Sequence, residues 1–361
     1  MYVKKLELKD YRNYDELSLS FDNMVNVIYG DNAQGKTNMI EAIYVAGTTK
    51  SHRGSKDREI IGFGKEEAHI RLYVDKDGIE FKIDMLLRKG KAKLVAINSI
   101  PIKKATELLG IVKIVFFSPE DLSIIKNGPS ERRRFIDMEL CQLDKIYLDN
   151  LTNYNKTINQ RNRILKDMPF SNELYTVLDV YDEQLLKYGC RVIERRKKFV
   201  EELNLIIRDI HYKLSGGKES CSIVYEPDAQ IDNFKELLNK NRERDIKFKL
   251  TSKGPHHDDI SFIVNDIDMR KYGSQGQQRT AALSLKLSEI SLVKLISKDK
   301  PVLLLDDVLS ELDSNRQNYL LESIRDVQTI ITCTGLDELV NKNFNINRTC
   351  YVSDGNVTVT K

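Results

Sequence analysis

Residues 30–37 read Gly30-Asp31-Asn32-Ala33-Gln34-Gly35-Lys36-Thr37, between an apolar run at 24–29 and a helix-like stretch at 38–47. The spacing is G-x-x-x-x-G-K-[ST], in which glycines permit the backbone angles that turn successive N–H groups toward phosphates at a helix N-terminus. We therefore predict that residues 30–37 bind a nucleoside triphosphate. Lys36 would reach the β- and γ-phosphates, and the Thr37 hydroxyl would bind Mg²⁺. The alternative is a chance glycine turn ahead of a lysine.

Length, charge and cysteine content limit the classes of protein that remain open. A chain of 361 residues is long enough for two domains, or for one large domain with an insertion. The formal net charge of +3 is too small for a global field, so binding to a polyanion would need local basic patches. The five cysteines lie far apart without a C-x-x-C pair, and neither an apolar signal region nor a membrane span is evident. We expect a cytoplasmic protein without disulfides, a zinc ribbon or a membrane partner.

Alternating runs on both sides of residues 30–37 predict a β-rich lobe. Residues 2–9, 16–21 and 24–29 read as strands, and Asp75-Lys76-Asp77-Gly78 lies between two such runs as a hairpin turn. The later predicted elements are strands at 111–117, 260–264, 301–305 and 328–333 and a helix at 275–297. Strands alternating with helices indicate an α/β fold.

Between these strand-like parts, the apolar residues change to a helical period. One segment repeats at spacings of four and three, with Arg195 or Arg196 interrupting it, and its members are Leu174, Leu178, Tyr181, Leu185, Tyr188, Val192, Phe199, Leu203, Ile206 and Ile210. Residues 136–165, before Pro169, follow nearly the same rhythm. We predict an antiparallel coiled-coil arm whose second helix, about 174–214, ends at Gly216-Gly217. Two ordinary amphipathic helices packed on a globular core are the alternative.

The arm interrupts the nucleotide lobe, which is therefore predicted to be discontinuous. We place the head in residues 1–128 and 255–361 and the helical arm in residues 129–254.

The apolar strand Val302-Leu303-Leu304-Leu305-Asp306 ends in a carboxylate. A phosphate-loop site needs such a group opposite the loop hydroxyl, because Mg²⁺ prefers oxygen ligands. We assign Asp306 to Mg²⁺ together with Thr37. The neighbouring Asp307 could polarise the water that attacks the γ-phosphate. A surface acidic turn after a buried strand is the alternative.

Tyr272-Gly273-Ser274-Gln275-Gly276-Gln277-Gln278 opens the helix that precedes this strand. The helix N-terminus offers further N–H groups, a hydroxyl and a dipole, and so a second anion site. Two such sites on different lobes of one chain suggest that the second faces a nucleotide held by another copy, in a two-fold dimer enclosing two ATPs. A simple glycine-serine helix cap is the alternative.

The three motifs, in this order around a helical insertion, resemble the ATP-binding-cassette class in its SMC-like branch. Closer resemblance is to the RecF family, and the stretches that carry it are Tyr11-Arg12-Asn13-Tyr14, Phe117-Ser118-Pro119-Glu120-Asp121-Leu122, Arg132-Arg133-Arg134-Phe135-Ile136-Asp137, Gly254-Pro255-His256, Asp258-Asp259 and Ser274-Gln275-Gly276-Gln277-Gln278-Arg279. It implies an α/β phosphate-loop ATPase that binds duplex DNA and gapped or single-strand junctions, dimerises with ATP and associates with the nucleoid. It further implies action with RecO and RecR to load RecA on gapped DNA coated by single-strand-binding protein.

The resemblance also implies roles for single residues. Lys36 and Asp307 are carried over as catalytic, residues 30–37 with Arg12 as nucleotide-binding, and Ser274, Gln275, Gly276 and Gln277 as the signature that acts in trans. Two departures from cassette ATPases argue against fast hydrolysis. A glutamate is shortened to Asp307, and Thr332-Cys333-Thr334 stands where a switch histidine is usual. Together with the resemblance, they imply a weak, DNA-stimulated ATPase used as a switch.

Basic clusters on or beside the arm are candidate DNA contacts, with solvated helix faces as the alternative. They comprise Arg132, Arg133, Arg134, Arg195, Arg196, Lys197 and Lys198. His256-His257-Asp258-Asp259 invites a metal interpretation, but neighbouring residues on an extended chain point to opposite faces and no further ligand stands at a zinc-like spacing. We predict no metal there.

Three rival functions remain open at this point. A transporter ATPase lacks support because the switch histidine is absent and an arm is inserted. A chromosome-tethering protein would need a much longer coiled coil. A small-molecule kinase would leave residues 272–278 unexplained.

Overall fold

The computed structural model describes residues 1–167, 174–336, 339 and 344–361. Its strands are β1 (Tyr2–Tyr11), β2 (Tyr14–Ser20), β3 (Val25–Tyr29), β4 (Glu67–Lys76), β5 (Ile79–Arg88), β6 (Leu94–Ile97), β7 (Ile100–Pro101), β8 (Ile114–Phe117), β9 (Cys221–Glu226), β10 (Asp259–Val264), β11 (Ile267–Asp268), β12 (Val302–Asp306), β13 (Thr329–Cys333), β14 (Arg348–Ser353) and β15 (Asn356–Val359). Its α-helices are α1 (Lys36–Thr48), α2 (Leu122–Lys126), α3 (Pro129–Leu143), α4 (Lys145–Asp167), α5 (Leu174–Leu214), α6 (Phe234–Lys240), α7 (Arg242–Phe248), α8 (Met269–Tyr272), α9 (Gln275–Ser297) and α10 (Ser314–Ser323). The strands and the helix predicted outside the arm are present, with ends shifted by up to three residues.

The chain forms two compact units. The first unit contains Met1–Asp121 and Leu285–Lys361, and the second contains Leu122–Ser284. The sequence instead divided head from arm at residues 129 and 255. The difference arises because β10, predicted in the head, pairs with β9 and β11 in one antiparallel sheet. That pairing brings the segment after residue 254 into the second unit.

A six-stranded sheet in the first unit positions the phosphate loop. Its order is β15-β14-β3-β13-β12-β8, and all neighbours except β14 and β15 run parallel. Every residue of β12 is buried. Parallel strands that are covered on both faces have continuous apolar sequences, which explains the apolar run before Asp306. Because β3, β13 and β12 are parallel neighbours, their carboxyl ends meet at one edge of the sheet. The phosphate loop, Thr332 and Asp306 are therefore brought to the same edge.

The second sheet of this unit is antiparallel, in the order β2-β1-β4-β5-β6-β7. Along β4 the buried residues alternate with more exposed ones, which is the period of a strand with one face on a core. The turn between β4 and β5 contains Asp77 and Gly78, both with positive φ, as the predicted hairpin requires. Apolar residues of this sheet, of α1 and of the parallel sheet form one buried cluster.

In the second unit, α4 and α5 pack antiparallel. Leu165 near the end of α4 contacts Leu178 near the start of α5, and Tyr154 and Ile158 share a cluster with Leu185 and Ile193. Helix α5 has the predicted bounds and, at 41 residues, is about 60 Å long. The predicted turn at Pro169 lies outside the described residues.

The first predicted arm segment is divided into two helices, α3 and α4. Asp144 between them has an extended conformation, with φ −140° and ψ 103°, and its Oδ1 accepts a hydrogen bond of 2.9 Å from the Tyr147 backbone N–H. An aspartate in this position satisfies a free N–H at the start of α4, which favours a new helix over a continued one. The spacing of apolar residues continues across residue 144, so the sequence prediction did not include the helix break at this position.

The buried seam of α5 is more polar than predicted. Tyr181 and Tyr188 are partly exposed, whereas Asp182 and Gly189 are buried. Asp182 is compensated by Arg161 of α4, whose Nε lies 2.6 Å from the Asp182 Oδ1 and whose Nη1 lies 2.7 Å from the Asp245 Oδ2. A prediction based on the spacing of apolar residues cannot identify buried positions, such as that of Asp182, which are occupied by paired charged residues.

No helix in the described ranges combines the length and the apolar character needed to cross a membrane.

Candidate nucleotide-binding site

The phosphate loop joins β3 to α1 through two glycines that no other residue fits. Gly30 has φ +150° and Gly35 has φ +112°. A Cβ on Gly30 would collide with the Val352 carbonyl oxygen, and one on Gly35 would lie 2.5 Å from the Asn13 amide nitrogen. Gly35 begins α1 without a side-chain cap. The first N–H groups of α1 therefore face the loop without a side-chain acceptor at the cap position.

Lys36 folds back across the loop that precedes it. Its Nζ donates hydrogen bonds of 2.7 Å to the carbonyl oxygens of Gly30 and Asp31. Only 7% of the residue is exposed. An ammonium group is thus held inside the loop, and its contact with the β- and γ-phosphates stays a prediction.

The predicted Mg²⁺ residues are in direct contact. The Thr37 hydroxyl donates a hydrogen bond of 2.9 Å to Asp306 Oδ1, and the Thr332 hydroxyl donates one of 2.7 Å to the same oxygen. Burial raises the pKa of Asp306, although the two hydroxyl groups and the positive charge of Arg53 act in the opposite direction. A buried carboxylate beside a hydroxyl is an oxygen donor set that fits Mg²⁺.

Asp307 directly follows this carboxylate and has a left-handed backbone, with φ +53°. Its N–H lies 3.1 Å from the Thr332 hydroxyl oxygen, which accepts a hydrogen bond from it. Aspartate and asparagine tolerate the left-handed region better than most residues. The conformation turns the chain away from β12 at this point, and a role of Asp307 in positioning water stays a prediction.

Arg12 is engaged with protein partners. Its Nε and Nη2 donate to the two carboxylate oxygens of Glu41 at 2.8 and 2.9 Å, and its Nη1 donates to the Glu59 carbonyl at 2.9 Å. The Glu41 carboxylate also accepts a bond of 2.5 Å from the Ser51 hydroxyl. Arg12 therefore ties β1 to α1 and to the following loop, and its predicted nucleotide contact stays untested.

Several residues beside the loop were missed by the sequence reasoning. Tyr14 donates its hydroxyl proton to the Gly35 carbonyl at 3.0 Å, and Asn13 donates to the Gln34 carbonyl at 3.1 Å. Both residues follow Arg12 in the stretch 11–14, which is one of those that resemble the RecF family, and this resemblance is the sequence signal that could have identified them. Arg53 lies in the loop after α1, where its positive charge partly offsets the increase in the pKa of Asp306 that burial causes. Arg53 is a single arginine before a glycine, and nothing in the sequence indicates that it lies near Asp306.

The predicted signature lies at the exposed start of α9. Ser274 Oγ accepts a hydrogen bond of 3.3 Å from the Gln277 backbone N–H, and Gln277 Oε1 accepts one of 3.1 Å from the Ser274 N–H. This reciprocal arrangement is a capping box. Ser274, Gln275 and Gly276 are exposed, and a Cβ on Gly276 would meet open space. The helix cap, left open as the alternative, is therefore present at an exposed helix start, and the second anion site stays a prediction.

Two of the predicted DNA contacts are wrong. Arg132 is 1% exposed and binds Asp259 through two hydrogen bonds of 2.6 and 2.9 Å. Arg196 is 2% exposed and pairs with Asp137 at 2.8 Å and Asp258 at 2.9 Å. Both guanidinium groups are buried among their own carboxylates, so neither can reach a phosphate backbone.

The remaining basic residues differ in exposure. Arg133 donates to the Asp258 carbonyl at 2.7 Å, and Arg195 pairs with Asp144 at 2.9 Å. The exposed members of the clusters are Arg134, Lys197 and Lys198.

His256 is part of a buried hydrogen-bond network. Its Nδ1 lies 2.7 Å from the Tyr154 hydroxyl and its Nε2 lies 3.0 Å from the Thr251 carbonyl oxygen. Burial lowers the pKa of His256 to about 4, so the ring is neutral at physiological pH. Among the residues with described positions, no group of three or more His, Cys, Asp and Glu side chains could hold a metal ion.

Comparison with known proteins places this geometry in a family. Residues 2–357 match the model of the RecF/RecN/SMC N-terminal domain. A curated relative from Lachnospira eligens, named DNA replication and repair protein RecF, is 63% identical over 359 residues, which cover 99% of both chains.

Solved structures agree with this relationship. A structure of the recombination mediator protein RecF with ATP in the RecFOR pathway is 36% identical, covers 100% of this chain and 98% of its own, and superposes with a TM-score of 0.93. The Smc head domain of Pyrococcus furiosus shares the fold at 18% identity, with a TM-score of 0.58 and coverage of 99% and 96%. The chain has the α/β phosphate-loop fold of the ABC and SMC-like ATPases, and it belongs to the RecF family.

Proposed function

We propose that the protein is an ATP-gated DNA-binding protein of recombinational repair. The observation that carries this proposal is the 2.9 Å contact between the Thr37 hydroxyl and Asp306, with the Lys36 ammonium held inside the same loop. A loop hydroxyl facing a strand-end carboxylate is the arrangement that phosphate-loop ATPases use for Mg²⁺. The similar solved structure described with ATP supports the choice of ATP.

The residues of the loop have separable roles in this proposal. Lys36 exchanges the carbonyl oxygens of Gly30 and Asp31 for phosphate oxygens, since its ammonium already lies inside the loop. Thr37 and Asp306 would hold Mg²⁺, which supplies positive charge to the β- and γ-phosphate oxygens. Asp307 orients the attacking water. Its short side chain fits slow hydrolysis, which suits a switch better than a motor.

A second copy of the chain completes the ATP site. The exposed Ser274 end of α9 supplies a hydroxyl and a helix N-terminus, both of which favour an anion. ATP therefore closes a homodimer on DNA, and its hydrolysis opens the dimer and releases the DNA. Closing around a shared ligand explains why such a site would be displayed on the surface.

Contact with DNA in this proposal uses the exposed basic residues Arg134, Lys197 and Lys198, which would bind the phosphate backbone. Relatives named for DNA replication and repair, and a recombination mediator described in the RecFOR pathway, support DNA repair as the setting, and gapped DNA is the substrate that we propose within it. The protein would act there with RecO and RecR to load RecA where single-strand-binding protein coats the gap, in the cytoplasm at the nucleoid.

Light scattering of the full-length protein tests the proposal directly. We expect the molar mass to double with ATP and Mg²⁺ together, and to stay monomeric with ADP or without Mg²⁺. Gapped duplex DNA should stabilise the ATP-bound dimer more than a blunt duplex of equal length does. An unchanged mass under all of these conditions would overturn the proposal.

A further inference from the structure

The chain reverses sharply after the long arm helix. Gly216 and Gly217 have φ +67° and +78°, and the Gly217 N–H donates a hydrogen bond of 2.7 Å to the Tyr212 carbonyl. Two consecutive left-handed residues favour glycine. The Glu219 N–H then donates to the Ser215 hydroxyl at 3.1 Å. The turn thereby returns Glu219 to the last turns of α5.

The Glu219 carboxylate connects the end of α5 to the start of α9. Its Oε2 lies 3.3 Å from His211 Nε2, and its Oε1 accepts a hydrogen bond of 2.8 Å from Gln277 Nε2. His211 is fully buried, and its Nδ1 lies 2.9 Å from the hydroxyl of Ser284, also on α9. The pair of His211 and Glu219 thus holds α9 at two points that are two turns apart.

This connection fixes the orientation of the Gln277 amide. A carboxylate accepts hydrogen bonds and cannot donate them, so Glu219 requires the NH₂ end of the amide on its side. The amide oxygen is consequently directed at the Ser274 N–H, 3.1 Å away. If the amide turned over, a donor would face that N–H and the reciprocal cap would be lost.

The cap in turn sets the position of the Ser274 hydroxyl. Ser274 Oγ accepts the Gln277 backbone N–H at 3.3 Å. A hydroxyl that accepts one hydrogen bond retains its proton as a donor. The direction in which Ser274 can donate therefore depends on Gln277, and the orientation of Gln277 depends on Glu219.

We propose that Glu219 is a positioning residue for the signature serine: it holds the Gln277 amide that caps α9 and ties this cap, through His211, to the end of the arm helix α5. The inference rests on the proposed function, in which Ser274 faces a nucleotide held by a second copy. It adds a physical link between the arm and that site. A displacement of the last turns of α5 is transmitted to Ser274 through the three hydrogen-bonded side chains His211, Glu219 and Gln277.

The test compares Glu219→Ala with Glu226→Ala in the full-length protein. Glu226 is an exposed carboxylate of the same unit that accepts the Ser261 hydroxyl, and it has no part in the link. Without nucleotide, Glu219→Ala should speed amide hydrogen exchange at Ser274 and Gln277. With ATP and Mg²⁺, we expect its dimer dissociation constant to rise about fivefold, as loss of a helix cap would predict, with ATP affinity of the monomer unchanged. Glu219→Gln keeps an acceptor for Gln277 and should recover part of both effects.

The outcomes separate this inference from the proposed function. Exchange and dimerisation in Glu219→Ala that equal those of Glu226→Ala would overturn the positioning role. If Ser274→Arg prevents dimerisation while Glu219→Ala dimerises as the wild type does, only the positioning role fails. Normal dimerisation of Ser274→Arg would overturn the proposed function itself, while the exchange rates without nucleotide would still report on the link.

Discussion

Helices α1 and α9 both present free backbone N–H groups at their N-termini, but the N-terminus of α1 is uncapped and lies inside a loop, whereas that of α9 is capped and lies on the surface. Helix α1 begins at Gly35 without a side-chain cap, and its first side chain, Lys36, is buried inside its own loop. Helix α9 is preceded by Ser274, which forms a reciprocal side-chain cap with Gln277 on an exposed surface. The first terminus leaves its N–H groups without a side-chain acceptor, inside the loop where the proposed nucleotide would bind. The second satisfies its own cap and offers the remaining N–H groups outward.

This difference predicts different ways of failing. The α1 site should fail when a single group proposed to touch phosphate is removed, because in the proposal that site binds its nucleotide within one chain. The α9 site should fail when its surface is obstructed, while ATP binding by the single chain persists.

The largest effect is expected for Lys36→Met. The ammonium inside the phosphate loop is lost, and charge-assisted hydrogen bonds of this kind contribute about a hundredfold to affinity. ATP affinity, measured by calorimetric titration, should fall by about that factor, and ATP-dependent dimerisation should disappear with it. The circular dichroism spectrum should not change.

The exposed Lys91 of the same unit provides the matched control, and Lys91→Met should bind ATP as the wild type does. Unchanged ATP affinity in a folded Lys36→Met protein would contradict the site assignment.

Ser274→Arg tests the opposite terminus. We expect nearly normal ATP binding by the monomer together with loss of dimerisation and hydrolysis, because a bulky cation would obstruct the surface that faces the second copy in the proposed dimer. Equilibrium titration and light scattering on one preparation measure both quantities. Loss of monomer ATP binding would mean that α9 acts on the nucleotide of its own chain, and the contrast between the two termini would disappear.

Asp307→Asn separates binding from turnover. The change removes the charge that is proposed to orient the attacking water and keeps the size of the side chain, so ATP should still bind and close the proposed dimer. Hydrolysis should fall about a hundredfold or more, and DNA dissociation after an ATP chase should slow in proportion.

Asp266→Asn is a matched control for this variant, because Asp266 is exposed and has a similar left-handed backbone, with φ +64°. Wild-type DNA release with abolished hydrolysis in Asp307→Asn would show that the two steps are uncoupled.

The smallest effect is expected when a glycine is replaced by alanine near each of the two helix N-termini and the free energies of unfolding are compared. Gly276→Ala places a Cβ in open space on a helix with ordinary φ, and should stabilise the monomer by roughly 0.5 kcal/mol through helix propensity. Gly35→Ala adds a Cβ 2.5 Å from the Asn13 amide nitrogen on a backbone with φ +112°, and should destabilise the protein. Urea unfolding of both variants measures the difference. If both substitutions changed the free energy of unfolding in the same direction, the distinction between the enclosed N-terminus of α1 and the exposed N-terminus of α9 would not hold.

Much of the candidate site is predictable because it lies in local sequence. The phosphate loop, the strand that ends at Asp306 and the start of α9 at Gln275 are each encoded within a few neighbouring residues. Thr332 is different. It reaches Asp306 only because β13 lies between β3 and β12, and the order of strands in a sheet is not written in any one segment.

The wrongly predicted DNA contacts have the same origin. Arg132 and Arg196 stand in runs of basic residues, which favour a solvated or DNA-binding face. Their partners Asp258 and Asp259 lie over 60 residues further along the chain, in the short segment before β10 or at its start. Charge compensation at that separation depends on the fold, so a count of neighbouring arginines cannot separate surface charge from buried charge.

The buried charges between α4 and α5 also determine how the arm can vary among related proteins. If α5 slid by one heptad against α4, Arg161 would face Gly189 or Tyr175 in place of Asp182. Arg161 would keep its pair with Asp245, but its Nε would lose the Asp182 carboxylate, and a buried donor left without its partner costs about 1–3 kcal/mol. A seam of leucines alone would permit such a slip. The arm should therefore tolerate lengthening only by matched insertions in both helices, beyond the ion pair, and an unmatched insertion in one helix should be rare among its relatives.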